Sequence, residues 1–371
     1  MRAARVEVDL DAVRHNVRTV AATVAPAAVC FVVKADGYGH GSIAVARAGL
    51  EAGASWLAVA LVEEAAVLRE AGISSPILLL SEPKLEDVGL AVHHGLRLSV
   101  YRHETIEAAA DMDTSRSAPV PLHLKVNTGM NRIGAAPEDV VGLAQAIARR
   151  PGVKLEALWT HCAVADEPGN EFTQVQLGRF DAVVSRLERA GIQPPILHVA
   201  NSAAAIDHPS SHHDMVRVGI AAYGIAPSPA LQGRLPLRPA MSLLAEVSLV
   251  KRVAAGESIS YGLTHRFERP ATVATVPIGY ADGVARNLSR VGGEVLIRGR
   301  RYPIVGRITM DQLMVDCGDE VVDPGDEVVL IGEQGSDQIT ADEWAARLDT
   351  IAYEIVCGIG PRVPRCYQDR C

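Results

Sequence analysis

Cysteine is sparse and unpaired in this sequence. Its six residues, Cys30, Cys162, Cys317, Cys357, Cys366 and Cys371, form no C-x-x-C spacing. That scatter argues against a zinc site and against a disulfide frame, and it fits reduced thiols in a cytoplasm. Cys30 and Cys162 fall inside apolar runs and read as packing residues. No apolar run approaches the ~20 residues needed to cross a bilayer. The first eleven residues carry Glu7, Asp9 and Asp11 and lack the apolar core of a secretory signal. Basic surface is also in short supply. The net charge is −8, which argues against nucleic acid as a partner. Neither G-x-x-x-x-G-K-[ST] nor a strand-linked G-x-G-x-x-G occurs, so a nucleotide phosphate loop is not indicated. These absences make a cytoplasmic protein without a zinc site, a membrane span or a nucleic-acid partner the expectation.

What is present divides the chain in two. Its 371 residues suffice for about two domains. Residues 9–25 space Leu10, Val13, Val17, Val20 and Val24 as on one helix face, and Pro26 stops that helix. Apolar runs then recur near 28–34, 56–61, 77–81, 96–100, 121–127, 155–163, 196–200 and 214–219. Amphipathic stretches separate most of them, at 42–52, 62–71, 84–94, 103–112, 137–149 and 171–190. Strands alternating with helices predict right-handed βαβ units on a parallel sheet. Eight such units favour an α/β fold of the (β/α)₈ TIM-barrel type, although periodicity alone leaves an open doubly wound sheet as an alternative. Beyond Pro236 the pattern shifts to period two, at 243–250, 272–278, 294–297 and 328–331, with Ala341–Leu348 as the one helical stretch. The expected division is a barrel over 1–235 and a mostly β domain over 236–371. The first ten or so residues are available to pair with the β domain.

One lysine stands out. The chain has five lysines among 36 basic residues, and Lys34 ends the apolar run Val29-Cys30-Phe31-Val32-Val33. Gly37, Gly39 and Gly41 then turn the chain around Tyr38 and His40. In a barrel, functional residues gather at the C-terminal ends of strands. The other strand ends offer Lys125, His161, Asn201 with Ser202, and Arg217, five polar sites on five strands with Lys34 included. Gly219-Ile220 backbone, with Ser202 opening a short helix, makes a cradle for one phosphate. A nucleophilic lysine beside a single phosphate site points to pyridoxal phosphate.

These residues lie in motifs. Val33-Lys34-Ala35-Asp36-Gly37-Tyr38-Gly39-His40-Gly41 resembles the cofactor-lysine motif of the alanine racemase family. The likeness continues at Lys125-Val126-Asn127-Thr128-Gly129-Met130-Asn131-Arg132, Trp159-Thr160-His161, His198-Val199-Ala200-Asn201-Ser202 and 217–224. In the β domain it returns at Ser260-Tyr261-Gly262, Gly279-Tyr280-Ala281-Asp282-Gly283, Thr309-Met310-Asp311 and Tyr353-Glu354. The resemblance implies a homodimer with shared active sites that interconverts L- and D-alanine with pyridoxal phosphate and supplies D-alanine for peptidoglycan. It implies that Lys34 carries the cofactor and acts as one base. Tyr261, from the other subunit, is implied as the second. Tyr38, Ser202, Gly219, Ile220 and Tyr353 are implied to hold the phosphate, with Asn201 beside Ser202. Arg217 is implied to donate to the ring nitrogen, and His161 to lie against the ring. Arg132 is implied to contact substrate, Met310 and Asp311 to line its pocket, and Tyr280 to gate it. Lys125 corresponds to a lysine often carbamylated in the family. Asn127 stands where an aspartate is commoner, which removes a charge near Arg132.

Rival readings share the architecture. A broad-specificity or serine-type racemase needs only pocket changes. A basic-amino-acid decarboxylase of this fold carries a glycine-rich phosphate loop and a late catalytic cysteine motif, and neither is found here. A non-catalytic cofactor carrier is barrel-only.

Overall fold

The computed structural model describes residues 3–112 and 118–368. The chain falls into two compact units. One comprises Ala12–Gly37 and Ser42–Pro239; the other comprises the described residues up to Asp11, the segment Tyr38–Gly41 and the described residues from Ala240 onward.

The first unit is an eight-stranded parallel sheet wrapped into a nearly closed barrel. Its strands, in chain order, are Ala28–Val32, Trp56–Val59, Ile77–Leu79, Arg97–Val100, Val120–Lys125, Val153–Trp159, Ile196–His198 and Met215–Val218. Each pairs in parallel with its sequence neighbour as far as the seventh, and the eighth pairs with the first. The seventh and eighth are joined by Asp214 N–H to Leu197 O at 3.1 Å and Arg217 N–H to Ala200 O at 3.0 Å. Strands covered on both faces need apolar side chains on both, which is why Ile77–Leu79 is apolar and buried throughout, while Met215–Val218 buries one charged residue, Arg217, among apolar ones. Helices Ser42–Glu51, Val62–Glu70, Val88–His93, His103–Ala110, Val140–Ala148, Phe172–Arg189 and Ser202–Asp207 connect the strands. Leu10–Val24 leads in, burying Val13, Val17, Val20 and Val24 along one stripe. A barrel, not an open sheet, is therefore the outcome.

The second unit is mostly β. Its main sheet runs, neighbour to neighbour, Leu249–Val253, Ala271–Val276, Leu313–Asp316, Arg300–Val305, Glu294–Ile297, Glu327–Gln334, Met241–Glu246, Ala4–Asp9 and Arg365–Gln368. The N-terminal strand Ala4–Asp9 is antiparallel to Met241–Glu246, with Val6 opposite Leu243. Val253, Ile259, Phe267, Val273, Val305 and Met314 form a small core at one end of this sheet. Here the sequence reading needs amending, since its four runs left out Arg300–Val305, Leu313–Asp316 and Arg365–Gln368. The predicted run 243–250 is two strands, because the chain breaks at Val247-Ser248 before Leu249–Val253 begins. Ala352–Gly358 is a second helix beyond Ala341–Leu348. It is only seven residues long, too short to show a helical period.

Candidate active site

Lys34 lies two residues beyond the end of the first barrel strand and is half-buried. The chain then makes a left-handed turn, with φ of 52° at Ala35, 51° at Asp36, 62° at Gly37 and 53° at Tyr38. Non-glycine residues in this region cost roughly 1–2 kcal/mol each, so specific bonds must hold the turn. Ala35 N–H donates to Glu64 Oε1 at 2.7 Å, Ser42 N–H to Asp36 Oδ1 at 2.8 Å, and Gly37 N–H to Val33 O at 2.9 Å. Gly37 has no room for a methyl group: a Cβ would lie 2.8 Å from Val45 Cγ2. Strain of this kind, immediately beside one lysine, is characteristic of a functional site.

Arg217, on the eighth strand, is 3% exposed. Its Nη1 donates to His198 Nδ1 at 2.9 Å. Its Nη2 donates to Thr160 O and Val199 O, both at 2.9 Å, and to His161 Nδ1 at 3.2 Å. Burial lowers the guanidinium to about 10, still charged at neutrality. Burial first, and then the charge of Arg217, hold the His161 imidazole well below its ordinary range, so His161 is neutral. Trp159 supplies what carboxylates do not. Its ring lies under Arg217 at 4.6 Å and under Lys125 Nζ at 3.9 Å, and stacks on His198 at 5.3 Å.

Lys125 ends the fifth strand and is 3% exposed. Burial is the main reason its amine falls to about 7, helped by the positive charges of Arg217, Arg132 and Lys34. The barrel thus gathers four cationic side chains from three strand ends and one loop. Arg132 is exposed on that loop, and a small cavity lined by Lys125, Asn127, Met130, Arg132, Thr160 and His161 opens there. The loop shows what Asn127 does. Its Oδ1 accepts from Gly129 N–H at 3.1 Å and Asn131 N–H at 3.0 Å, while its Nδ2 donates to Asn131 Oδ1 at 2.8 Å. An aspartate could make the first two bonds but not the third.

At the seventh strand, Asn201 caps the helix Ser202–Asp207, its side chain accepting from Ala204 N–H at 3.0 Å. Gly219 N–H is already given to Ser202 Oγ at 2.9 Å, which leaves the Ser202 hydroxyl proton for another acceptor.

The remaining candidates belong to the β-rich unit. Tyr38 is buried, with its ring 6.2 Å from that of Tyr353. Burial, and then the neighbouring Cys357, push its hydroxyl far above the ordinary tyrosine range, so it is a proton donor. Arg365 holds the segment by donating Nε–H to Gly39 O at 3.0 Å. Tyr261 is 71% exposed on a tight turn, with Ser260 at φ 63° and Leu263 at φ 49°. Ser260 Oγ anchors it by donating to Arg307 O at 2.7 Å. The same strand-end region carries Tyr280 and Met310, joined by Tyr280 N–H to Thr309 O and Ala281 N–H to Met310 O. Gly279 permits that approach, since a Cβ there would meet Thr309 O at 2.2 Å. Asp311 pairs with Arg362 at 2.7 Å. Tyr261, Leu263, Tyr280 and Met310 are all exposed apolar or aromatic side chains.

Sequence reasoning passed over the groups behind Arg217. His123 Nδ1 lies 3.1 Å from His198 Nε2, and His123 Nε2 lies 3.1 Å from Glu156 Oε2. Glu156 was legible as the lone carboxylate in the apolar strand Val153–Trp159.

Comparison with known proteins agrees over both units. The family model for the alanine racemase N-terminal domain matches residues 8–227, and that for the C-terminal domain matches residues 240–367. The chain is similar to the alanine racemase of Symbiobacterium thermophilum, 48% identical over 99% of this chain and 97% of that one. Among solved structures it resembles alanine racemase from E. faecalis, with a TM-score of 0.95 and 40% identity over 99% of this chain and 98% of the other. A histidine racemase from Leuconostoc mesenteroides is more distant, at TM-score 0.91 and 29% identity over 99% of this chain and 98% of its own.

Proposed function

The chain belongs to the alanine racemase family of isomerases, and from that premise we propose that it interconverts L- and D-alanine with pyridoxal phosphate by two opposed bases. The observation that carries the reading is the cluster of Lys34, Lys125, Arg132 and Arg217, in which burial first, and then the charges of the other three, lower Lys125 to about 7. Four cations around one barrel mouth suit an anionic cofactor and an amino-acid carboxylate. On this reading the half-buried Lys34 amine would form the link, the Ser202 hydroxyl and the Ile220 backbone would hold the phosphate with Tyr38 and Tyr353, and the buried Arg217 would meet the ring nitrogen; Gly219 N–H, already given to Ser202 Oγ, would act by holding that hydroxyl in place. Asn201 positions Ser202 from the cap. Bound there, the cofactor supplies an electron sink that acidifies the proton on the substrate Cα.

The chain's own residues do the rest. Lys34 Nζ takes or returns the proton on one face of Cα, and Tyr261 Oη serves the other. Arg217 is a pure donor, so it would leave a ring nitrogen unprotonated and the sink weak. His161, neutral, would lie against the ring. Arg132 binds the substrate carboxylate. Tyr261, Tyr280, Met310 and Asp311 come from a partner subunit, which would cover their exposed face and complete two shared sites in a homodimer. Lys125, neutral for much of its time near pH 7, is the form of an amine that reacts with carbon dioxide, and a carbamate there would place an anion beside Arg132. We assign the protein to the cytoplasm, where D-alanine serves peptidoglycan synthesis.

Chiral analysis of purified protein incubated with L-alanine tests this reading. D-alanine should accumulate to an equal mixture, and none forming would refute it. The likeness to a histidine racemase favours running serine and histidine alongside, since fold likeness does not choose the amino acid. A faster rate with either would move the assignment to a broader racemase.

A further inference from the structure

Glu156 sits where it does because the backbone makes it. The fifth and sixth strands pair Leu122 with Leu155 and then His123 with Ala157, so Glu156 is the extra residue of a bulge. A bulge re-aims a side chain, and here it turns a carboxylate, 12% exposed, onto a buried histidine. Arg97 Nε lies 3.4 Å from the same carboxylate and Lys154 Nζ 3.6 Å away. Burial raises the Glu156 carboxyl, but the bond from His123 and the charges of Arg97 and Lys154 outweigh it and keep it ionised.

The two ends of this line set the order of protons within it. Arginine can only donate and an ionised carboxylate can only accept. His198 Nδ1 faces Arg217 at 2.9 Å, so it carries no proton and the ring proton is on Nε2. That proton points at His123 Nδ1, 3.1 Å away, which must then be the acceptor. His123 therefore carries its proton on Nε2 and gives it to Glu156, also at 3.1 Å. Both rings are fully buried, and burial holds both below the ordinary histidine range, so each is neutral with one proton to place.

We propose that Glu156, His123 and His198 are positioning residues that form a one-way hydrogen-bond line across the barrel interior, fixing His198 as an acceptor and so fixing the plane in which Arg217 presents its guanidinium. Packing alone does not call for this line, because an apolar residue at position 156 needs neither bulge nor partner. Removing the terminal acceptor frees His123 to turn its proton inward. His198 then faces a donor on both sides, and Arg217 loses its best-defined bond. The consequence for catalysis rests on the reading of Arg217 as the ring-nitrogen donor; the proton order does not.

The test uses the holoenzyme labelled with ¹⁵N-histidine. Long-range ¹H–¹⁵N spectra show which ring nitrogen carries the proton, with His123→Gln and His198→Gln used to assign the signals. Both rings should be neutral with the proton on Nε2. Glu156→Leu should move His123 off that tautomer and shift the His198 signals. Glu156→Gln, which keeps an acceptor oxygen, should retain the native order. In kinetics Glu156→Leu should lower kcat on the order of tenfold, the size of effect seen when the outer partner of a functional imidazole is lost, with KM nearly unchanged and rescue by glutamine. A proton on Nδ1 of either ring in the native protein, or His198 signals unmoved in Glu156→Leu, overturns the proposal. Should Glu156→Leu fail to fold, the native spectrum and Glu156→Gln still decide it. A protein without racemase activity refutes the proposed function, while the spectra still judge the line.

Discussion

The barrel's candidate site and the surface of the β-rich unit handle charge in opposite ways. In the barrel, Arg217 and Lys125 are buried and held by carbonyls, imidazoles and the Trp159 ring. In the β-rich unit, arginines meet carboxylates at the surface: Arg301 with Glu294, Asp337 and Glu343, Arg347 with Glu294 and Glu343, and Arg298 with Asp323 and Asp326. Surface pairs stabilise little because water already solvates both partners. A buried cation without a carboxylate remains reactive toward an incoming anion, and that is the condition of a binding site. The β-rich unit contributes differently, by holding Tyr261 on a strained turn and both Tyr261 and Tyr280 in the open.

The contrast can be broken from either side. The largest effect is expected for Lys34→Ala, which should lower kcat/KM by at least ~10³-fold. It should also abolish the covalent cofactor link, read by borohydride reduction and peptide mass spectrometry. Tyr261→Phe should cost ~10²- to 10³-fold while leaving that link intact. Mixing and refolding these two inactive variants together should restore part of the activity, because one site of each mixed dimer is then whole. No recovery would mean that Tyr261 does not act across subunits.

The next effects are on stability. Arg217→Leu leaves Thr160 O, Val199 O and His198 Nδ1 without their donor, at a cost of about 1–3 kcal/mol in urea denaturation. Lys125 sets a pH dependence. Its folded value of about 7 lies below the unfolded 10.5. Below pH 7 both states hold the proton; between the two values only the unfolded state does, so stability rises with pH across that window. The gain from pH 7 to 9 should be on the order of 1–2 kcal/mol, and Lys125→Met should flatten it. A carbamate on Lys125 would flatten it too, and intact-mass measurement would show the added carbon dioxide. The smallest effect is expected for Arg301→Ala, whose surface pairs should be worth about 1 kcal/mol or less and should fade in salt.

Most of the barrel was legible in the chain, because parallel strands buried on both faces leave unbroken apolar runs and the helices between them leave a 3.6-residue period. Strand ends then located Lys34, Lys125 and Arg217 without any knowledge of contacts. The helix Ala352–Gly358 escaped because seven residues are too few to show that period. Asn127 was read as a missing charge, whereas its side chain closes the loop that carries Arg132. That role depends on which backbone N–H groups turn toward it, and composition does not record this.

Sequence alone determined the strand count of the barrel, the candidate reactive groups and the change of texture near residue 236, since each follows from local period and residue type. Tertiary structure alone decided that Lys125 would lose charge near neutrality and that Arg217 would lie over the Trp159 ring. It also decided that a bulge would put Glu156 at the end of a line of histidines. The reason is physical. Desolvation and hydrogen-bond direction depend on what surrounds a group in space, and these neighbours come from strands tens of residues apart.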